Sequence, residues 1–402
     1  GYVLYDYATN PRSLTAASSI CGPANAIAVD KSIESDIKMA GIGKKLIDVS
    51  ELNEKWVYST YPKGFSKMNC AELSPDIFHQ LRDYNTLTNA FTLYDGLGEF
   101  RNTVMSGLNA GSYCFGYYAD DEFGMVESAS RLGISMLPSD VASNLSSMSS
   151  IYVTDGLKQR VPTADEDLPT ETDVHYVTFL LSDGDNIAYN LWSQQTYFSN
   201  PVRGSLAMGY TISPSLYDLA PAALRWYYEK MTPNDYFVCG PSGSSYIFPS
   251  KMPAEHLDPY LVKLNEFTGA TGLKIVNILD KNALNNMALW EKYLAQPNID
   301  AILYTGYGES PRVSINFASN GKPVICQTDN LWENLMEENA VISRVNARPT
   351  DITQKESYSL VFVHTWTKNF NNVKQVVEGF NPNVRVVTPY VFVKLIQKNI
   401  AH

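Results

Sequence analysis

HYVTFLLSDGDNIAYNLW, residues 175–192, is the stretch from which the rest of the chain is read. Residues 176–181 form an uncharged run that ends in Ser182-Asp183-Gly184-Asp185-Asn186. A continuous apolar run closed by turn residues is the pattern of a strand buried on both faces, as in a parallel sheet covered by helices. Carboxylates and an amide at the mouth of such a strand stand where open α/β sheets and α/β barrels carry their chemistry. The plainer reading is an Asx-rich turn that satisfies its own backbone. Such turns seldom need two carboxylates separated by a single glycine.

Outward from this stretch, strand-like runs recur at 206–212, 236–240, 273–279, 300–305, 323–327, 359–364 and 384–388. Helical patterns fit between most of them, as at 220–231, 256–267 and 373–380. Strands alternating with helices predict a parallel sheet, and this number over residues 174–402 suits a (β/α) barrel of seven or eight strands, regular or distorted. Residues 156–173 are polar, hold Pro162 and Pro169, and read as a linker. Before it, residues 1–155 alternate short strands (2–5, 26–29, 45–49, 90–94, 112–118, 134–138) with helices (13–20, 73–88, 99–108, 124–132). This predicts Rossmann-like α/β units in an N-terminal region of one or two small subdomains.

Hydrophobic residues at 45% and charged residues at 18% describe a packed globular chain, and 402 residues exceed one ordinary core. A net charge of −11 opposes nucleic acid and anionic membranes and favours a neutral or cationic ligand. No apolar run is long enough to span a membrane. The five cysteines show no CxxC spacing and read as buried thiols. The 26 tyrosines and six tryptophans suit sugar stacking, although they also fill large cores.

The predicted strand ends collect Asp183, Asp185 and Asn186, then Ser213 and Ser215, and then the Gly- and Ser-rich loop 240–249 with Ser242 and Tyr246. Later ends bring Asp280; Tyr304, Tyr307 and Glu309; Gln327, Asp329, Asn330 and Trp332; and His364 with Trp366. Carboxylates, amides and aromatics at this density resemble a polyol-binding cleft. Glycoside hydrolysis needs an acid of raised pKa and a second carboxylate that stays ionised. Asp183 or Asp185 is the first choice. Its partner would be Glu309, Asp280 or Asp329, or a residue of the first domain among Asp120, Asp121 and Glu122. Asp121 and Glu122 also read as a helix N-terminal pair favoured by the macrodipole. Tyr246 and Phe248, two apart, are expected to point one into the core and one outward.

Rival motifs test poorly. A calcium loop starting at Asp183 would need an oxygen ligand at Ile187 and glycine at Ala188. A dehalogenase-type phosphatase carries Asp-x-Asp with Thr or Val two residues on, where Ile187 stands. A metal on Asp183 and Asp185 with His175 or His364 stays open, although no HxH or HxxxH pair supports it.

At 243–249 the letters Gly243-Ser244-Ser245-Tyr246-Ile247-Phe248-Pro249 resemble the motif of the GxGYxYP-domain family, with Ser245 for the second glycine and Phe248 for the second tyrosine. SDGDN (182–186), GYTISPSL (209–216) and YADDEFGMVESAS (118–130) are similar too. The resemblance covers nearly the whole chain and implies saccharide processing, with residues 1–155 standing for the family's N-terminal domains. It supplies no catalytic pair. Such proteins usually carry an export signal and further N-terminal sequence, so the start at Gly1 is read as a trimmed part of an exported protein.

The resulting expectation is a glycoside hydrolase with Asp183, Asp185 and Glu122 as catalytic carboxylates. Asn186, Asp121, Ser242, Tyr246, Tyr307, Glu309, Asp329, Trp332, His364 and Trp366 are expected to bind a saccharide. No cofactor, metal, nucleic acid or membrane insertion is expected. The alternatives are a non-catalytic saccharide-binding protein and a metal-dependent carbohydrate deacetylase.

Overall fold

The computed structural model describes residues 1–118, 121–161, 164 and 167–401. By packing they fall into two units, Gly1–Ser150 with Lys251–His256, and Ile151–Ser250 with Leu257–His402.

The first unit contains two parallel sheets. Strands β1 (Tyr2–Tyr5), β2 (Ile27–Asp30) and β3 (Lys45–Asp48) are ordered β2-β1-β3. Strands β4 (Asn69–Glu72), β5 (Phe91–Leu93), β6 (Tyr113–Gly116) and β7 (Ser135–Leu137) are ordered β5-β4-β6-β7. Helix Arg12–Cys21 packs against both β1 and β5 and is buried except at Arg12. Its small side chains permit this, and the Ser19 hydroxyl bridges to the backbone of Thr92 in β5.

Two expectations fail in this unit. Strand β4 was not foreseen, because its ends are polar. Glu72 is nonetheless buried, held by the equally buried Arg101 at 2.6 and 3.1 Å. The helix expected over 73–88 shrinks to Arg82–Leu87. Leu81 immediately before it sits at φ +63°, so the chain cannot carry a helix through that point.

The second unit is a mostly parallel sheet that curls. It contains β8 (His175–Leu181), β9 (Met208–Ile212), β10 (Asp235–Cys239), β11 (Ile275–Asp280), β12 (Ala301–Gly306), β13 (Ile315–Phe317), β14 (Pro323–Cys326), β15 (Asp329–Leu331), β16 (Tyr358–Val363) and β17 (Val384–Val386). The order is β13-β14-β12-β11-β10-β9-β8-β16-β15. Only Gln327 and Thr328 separate β14 from β15. Gln327 donates its amide to Tyr304 on one side, and Thr328 donates to Leu360 on the other. One extended segment therefore serves both ends of the sheet, which is a curled half-barrel rather than a regular eight-stranded ring. The expected eighth stave, 384–388, is a three-residue strand that pairs only with the start of β8. The short strands β13 and β15 were not foreseen.

All seven residues of β8 are buried, as the uncharged run required. Each buried Val, Phe or Leu contributes about 1.5–3 kcal/mol. Tyr176 and Leu180 face one core cluster together with Tyr236, Val238, Ile275, Leu303, Ile325 and Leu360. Helix Pro389–Asn399 sends Phe392 and Ile396 into the same cluster.

His175, at the start of β8, is fixed between the Pro349 carbonyl at 3.0 Å and the Ser359 hydroxyl at 2.7 Å. The carbonyl can only accept, so Nδ1 carries the proton and Nε2 accepts from Ser359. Burial pushes the imidazole pKa down to about 4. The unfolded value is about 6.5, so this contribution to stability is complete above pH 6.5 and is lost as pH falls towards 4. Denaturant titrations at pH 7.5 and pH 5 should show wild type losing about 2 kcal/mol more than His175→Gln over that interval.

Candidate functional site

Parallel strands all point the same way, so the segments following the strands from β8 to β16, apart from the antiparallel β13, emerge on one side. The acidic loop after β8 is held there by Thr211 of β9. The Thr211 hydroxyl donates to the Leu181 carbonyl and accepts from the Gly184 amide, both at 2.8 Å. A Cβ on Gly184 would lie 2.1 Å from the Thr211 carbonyl carbon. The glycine between the two aspartates is thus imposed by close packing on β9, and a Cβ on Gly240, just after β10, would lie 2.5 Å from the Thr211 Cβ.

The carboxyl of Asp183, a residue at φ +70°, accepts from the Ser182 hydroxyl and from the Trp366 indole N–H. Burial raises its pKa from the ordinary aspartate value, against the pull of those two hydrogen bonds. Trp366 itself is 55% exposed and meets Tyr189 edge-on at 5.6 Å. Asp185 is buried, at 8% exposure. Asn186 caps helix Ile187–Leu191 by accepting the Tyr189 amide at 2.9 Å. The Ser182 hydroxyl also accepts the Thr365 amide at 3.1 Å, joining the loops after β8 and β16.

The other carboxylates of these loops are engaged. Asp329 is fully buried and bonded to Arg344 at 2.7 Å and Arg348 at 3.1 Å. Asp280 accepts from the Ser250 amide and hydroxyl at 2.7 and 2.8 Å, bracing the loop after β10. Glu309 accepts from Tyr304 at 2.9 Å and Asn282 at 2.7 Å and pairs with Arg312 at 3.2 Å.

In the loop after β10, Tyr246 and Phe248 are both buried and meet edge to face at 5.7 Å. The expected outward-facing ring is absent, since burial of the whole loop overrides alternation. Tyr307, half-buried, contacts Phe248 at 5.6 Å. Gly243 has φ +141° and lies against Tyr260, whereas Ser245 is not in the left-handed region, so a serine there costs no strain. Ser242 is buried, and its hydroxyl brackets the Leu279 amide and carbonyl, both at 3.0 Å. Its observed partners are backbone groups.

Trp332 and His364 lie flat on one another, 3.6 Å apart and 4° from parallel. His364 also meets the Thr367 hydroxyl at 2.9 Å, and burial lowers its pKa. His175 stands at the opposite end of β8 with both ring nitrogens engaged, which removes it as a metal partner for Asp183 and Asp185. Among the described residues no three His, Cys, Asp or Glu side chains gather to hold a metal ion.

Asp121 and Glu122 belong to the first unit. Asp121 caps helix Glu122–Arg131 through the Gly124 amide at 2.8 Å, and Glu122 accepts from Tyr117 at 2.9 Å. Asp120 lies outside the described residues. The expected selection of binding residues passed over Ser213, Gln327 and Asn330, although all three were read at strand ends. Each is buried with a side-chain oxygen that has no hydrogen-bond partner among the described residues. Sequence alone could not separate these from satisfied neighbours.

Comparison with known proteins bears on the same segments. The family model "GxGYxYP putative glycoside hydrolase C-terminal domain" matches residues 173–397. "GxGYxYP third domain" matches 67–150, and "GxGYxYP_N second domain" matches 1–65. A crystal structure described as "a putative hydrolase" from Bacteroides thetaiotaomicron VPI-5482 is similar at TM-score 0.95 and 51% identity, over 99% of this chain and 80% of that one. No curated protein matches.

The Thr211 lock is testable. Thr211→Val keeps the side chain's shape but leaves the Gly184 N–H unsatisfied, and should cost about 1–3 kcal/mol in denaturant unfolding. Gly184→Ala must displace the backbone of β9 and should cost at least as much.

Proposed function

This chain belongs to the GxGYxYP family, and from that premise we propose that it hydrolyses a glycosidic bond at the C-terminal ends of the curled sheet, which we read as a distorted seven-stave barrel. Asp183 serves as the general acid and Asp185 as the base or nucleophile. The observation that carries this is the contrast among the strand-end carboxylates. Asp329 and Glu309 are neutralised by arginines and Asp280 braces a loop, whereas Asp183 is held by neutral donors and burial favours its protonated form. A carboxylic acid that keeps its proton is what departure of a sugar leaving group requires. The indole of Trp366, exposed and oriented by Asp183, offers a face for a pyranose ring.

Screening against a panel of oligosaccharides supplies the assay. Asp183→Asn and Asp185→Asn should each fold and lose about 10²–10⁴-fold in kcat. For wild type, kcat/KM should fall as pH rises through the Asp183 pKa, because only the protonated acid donates. Asp329→Asn should act differently, lowering stability by stranding two arginines. If both aspartate variants keep full activity the assignment is wrong, and saccharide binding without turnover would leave a binding protein.

A further inference from the structure

The inner face of the segment joining β14 to β15 carries two side-chain amides whose oxygens have no hydrogen-bond partner among the described residues. Ile325 packs in the inner cluster, and Gln327, two residues on, continues that face. Asp329 should follow by alternation but turns outward to Arg344 and Arg348, so the alternation slips at Thr328. Asn330 consequently registers with Phe362, a side chain packed against the same cluster. The slip brings two amides inward within four residues.

Gln327 is 4% exposed and Asn330 5% exposed, and Gln327 Oε1 and Asn330 Oδ1 have no hydrogen-bond partner among the described residues. A buried acceptor without a donor costs about 1–3 kcal/mol, so two of them on one face call for a ligand that brings donors. The Ser213 hydroxyl, at the end of β9, is buried and unpartnered as well. Four cations of these loops are already paired. Arg344 and Arg348 hold Asp329, Arg312 holds Glu309, and Lys368 holds Glu338 at 2.9 Å. Two bare acceptor oxygens would repel a carboxylate or sulfate placed against them, and no paired cation is free to compensate.

We propose that Gln327 and Asn330 form the floor of a subsite for an uncharged monosaccharide unit, taking its hydroxyl protons and rejecting uronic acids. This rests on the saccharide reading of the site and specifies its substrate class. Saturation-transfer NMR and calorimetry with the methyl glycosides of glucose, galactose and mannose, and of glucuronic and galacturonic acid, test it on the full chain. At least one neutral glycoside should bind, with both uronides about tenfold or more weaker. Gln327→Met, which keeps shape without the acceptor, and Asn330→Ala should each weaken neutral binding about tenfold. Uronides bound as tightly as neutral sugars, or neutral binding untouched by both substitutions, would overturn the subsite while leaving the saccharide reading in place. Binding of none of the five glycosides would overturn both.

Discussion

The site depends on one hydroxyl. Thr211 ties the carbonyl that ends β8 to the amide of Gly184, and the glycine lies flat on the backbone of β9 because nothing larger fits. Two aspartates thereby leave the strand from a point fixed by its neighbour. Asn190 and Gln194, from the helices that follow, hold the end of β9 in turn through the Ser213 amide and the Thr211 carbonyl. The acidic loop is thus anchored to the sheet rather than to its own turn, and Ser182 extends the anchorage to the loop after β16.

Electrostatics then sorts the carboxylates. Those beside arginines act as struts, and Asp329 between Arg344 and Arg348 is the clearest case. Asp183 has no arginine partner among the described residues and sits where burial disfavours its charge. An acid of this kind weakens the fold at neutral pH, since the folded state prefers the proton that the solvent removes. Functional groups commonly carry such a cost.

Much of this was legible in the sequence. The uncharged run 176–181, its acidic end and the recurrence of similar runs gave the parallel sheet nearly strand by strand, because burial on both faces leaves an unmistakable pattern. What escaped lacked that pattern. Strand β4 hides a buried Glu72 that its pairing with Arg101 makes tolerable, and β13 and β15 are too short to show a period. Of the expected site residues, Asp183, Asp185, Asn186, His364 and Trp366 stand on the loops after β8 and β16, which Ser182 and Asp183 join. Letters could not reveal that Asp329 is already spoken for or that Tyr246 is buried, and they left Asp121 open between a binding role and the helix terminus it caps. Partner identity is a property of three dimensions. The slip at Thr328, which turns Asn330 inward, is equally invisible to a period-two count.

The pinning of Gly184 to β9 also bears on heat. A loop held only by its own turn can melt before the domain beneath it, so that function fades while the fold persists. Here the acidic loop shares backbone contacts with the second strand of the sheet and has no separate cooperative unit to lose. Thermal inactivation and collapse of the sheet become a single event, and a gain in the melting temperature of the second unit carries the site with it.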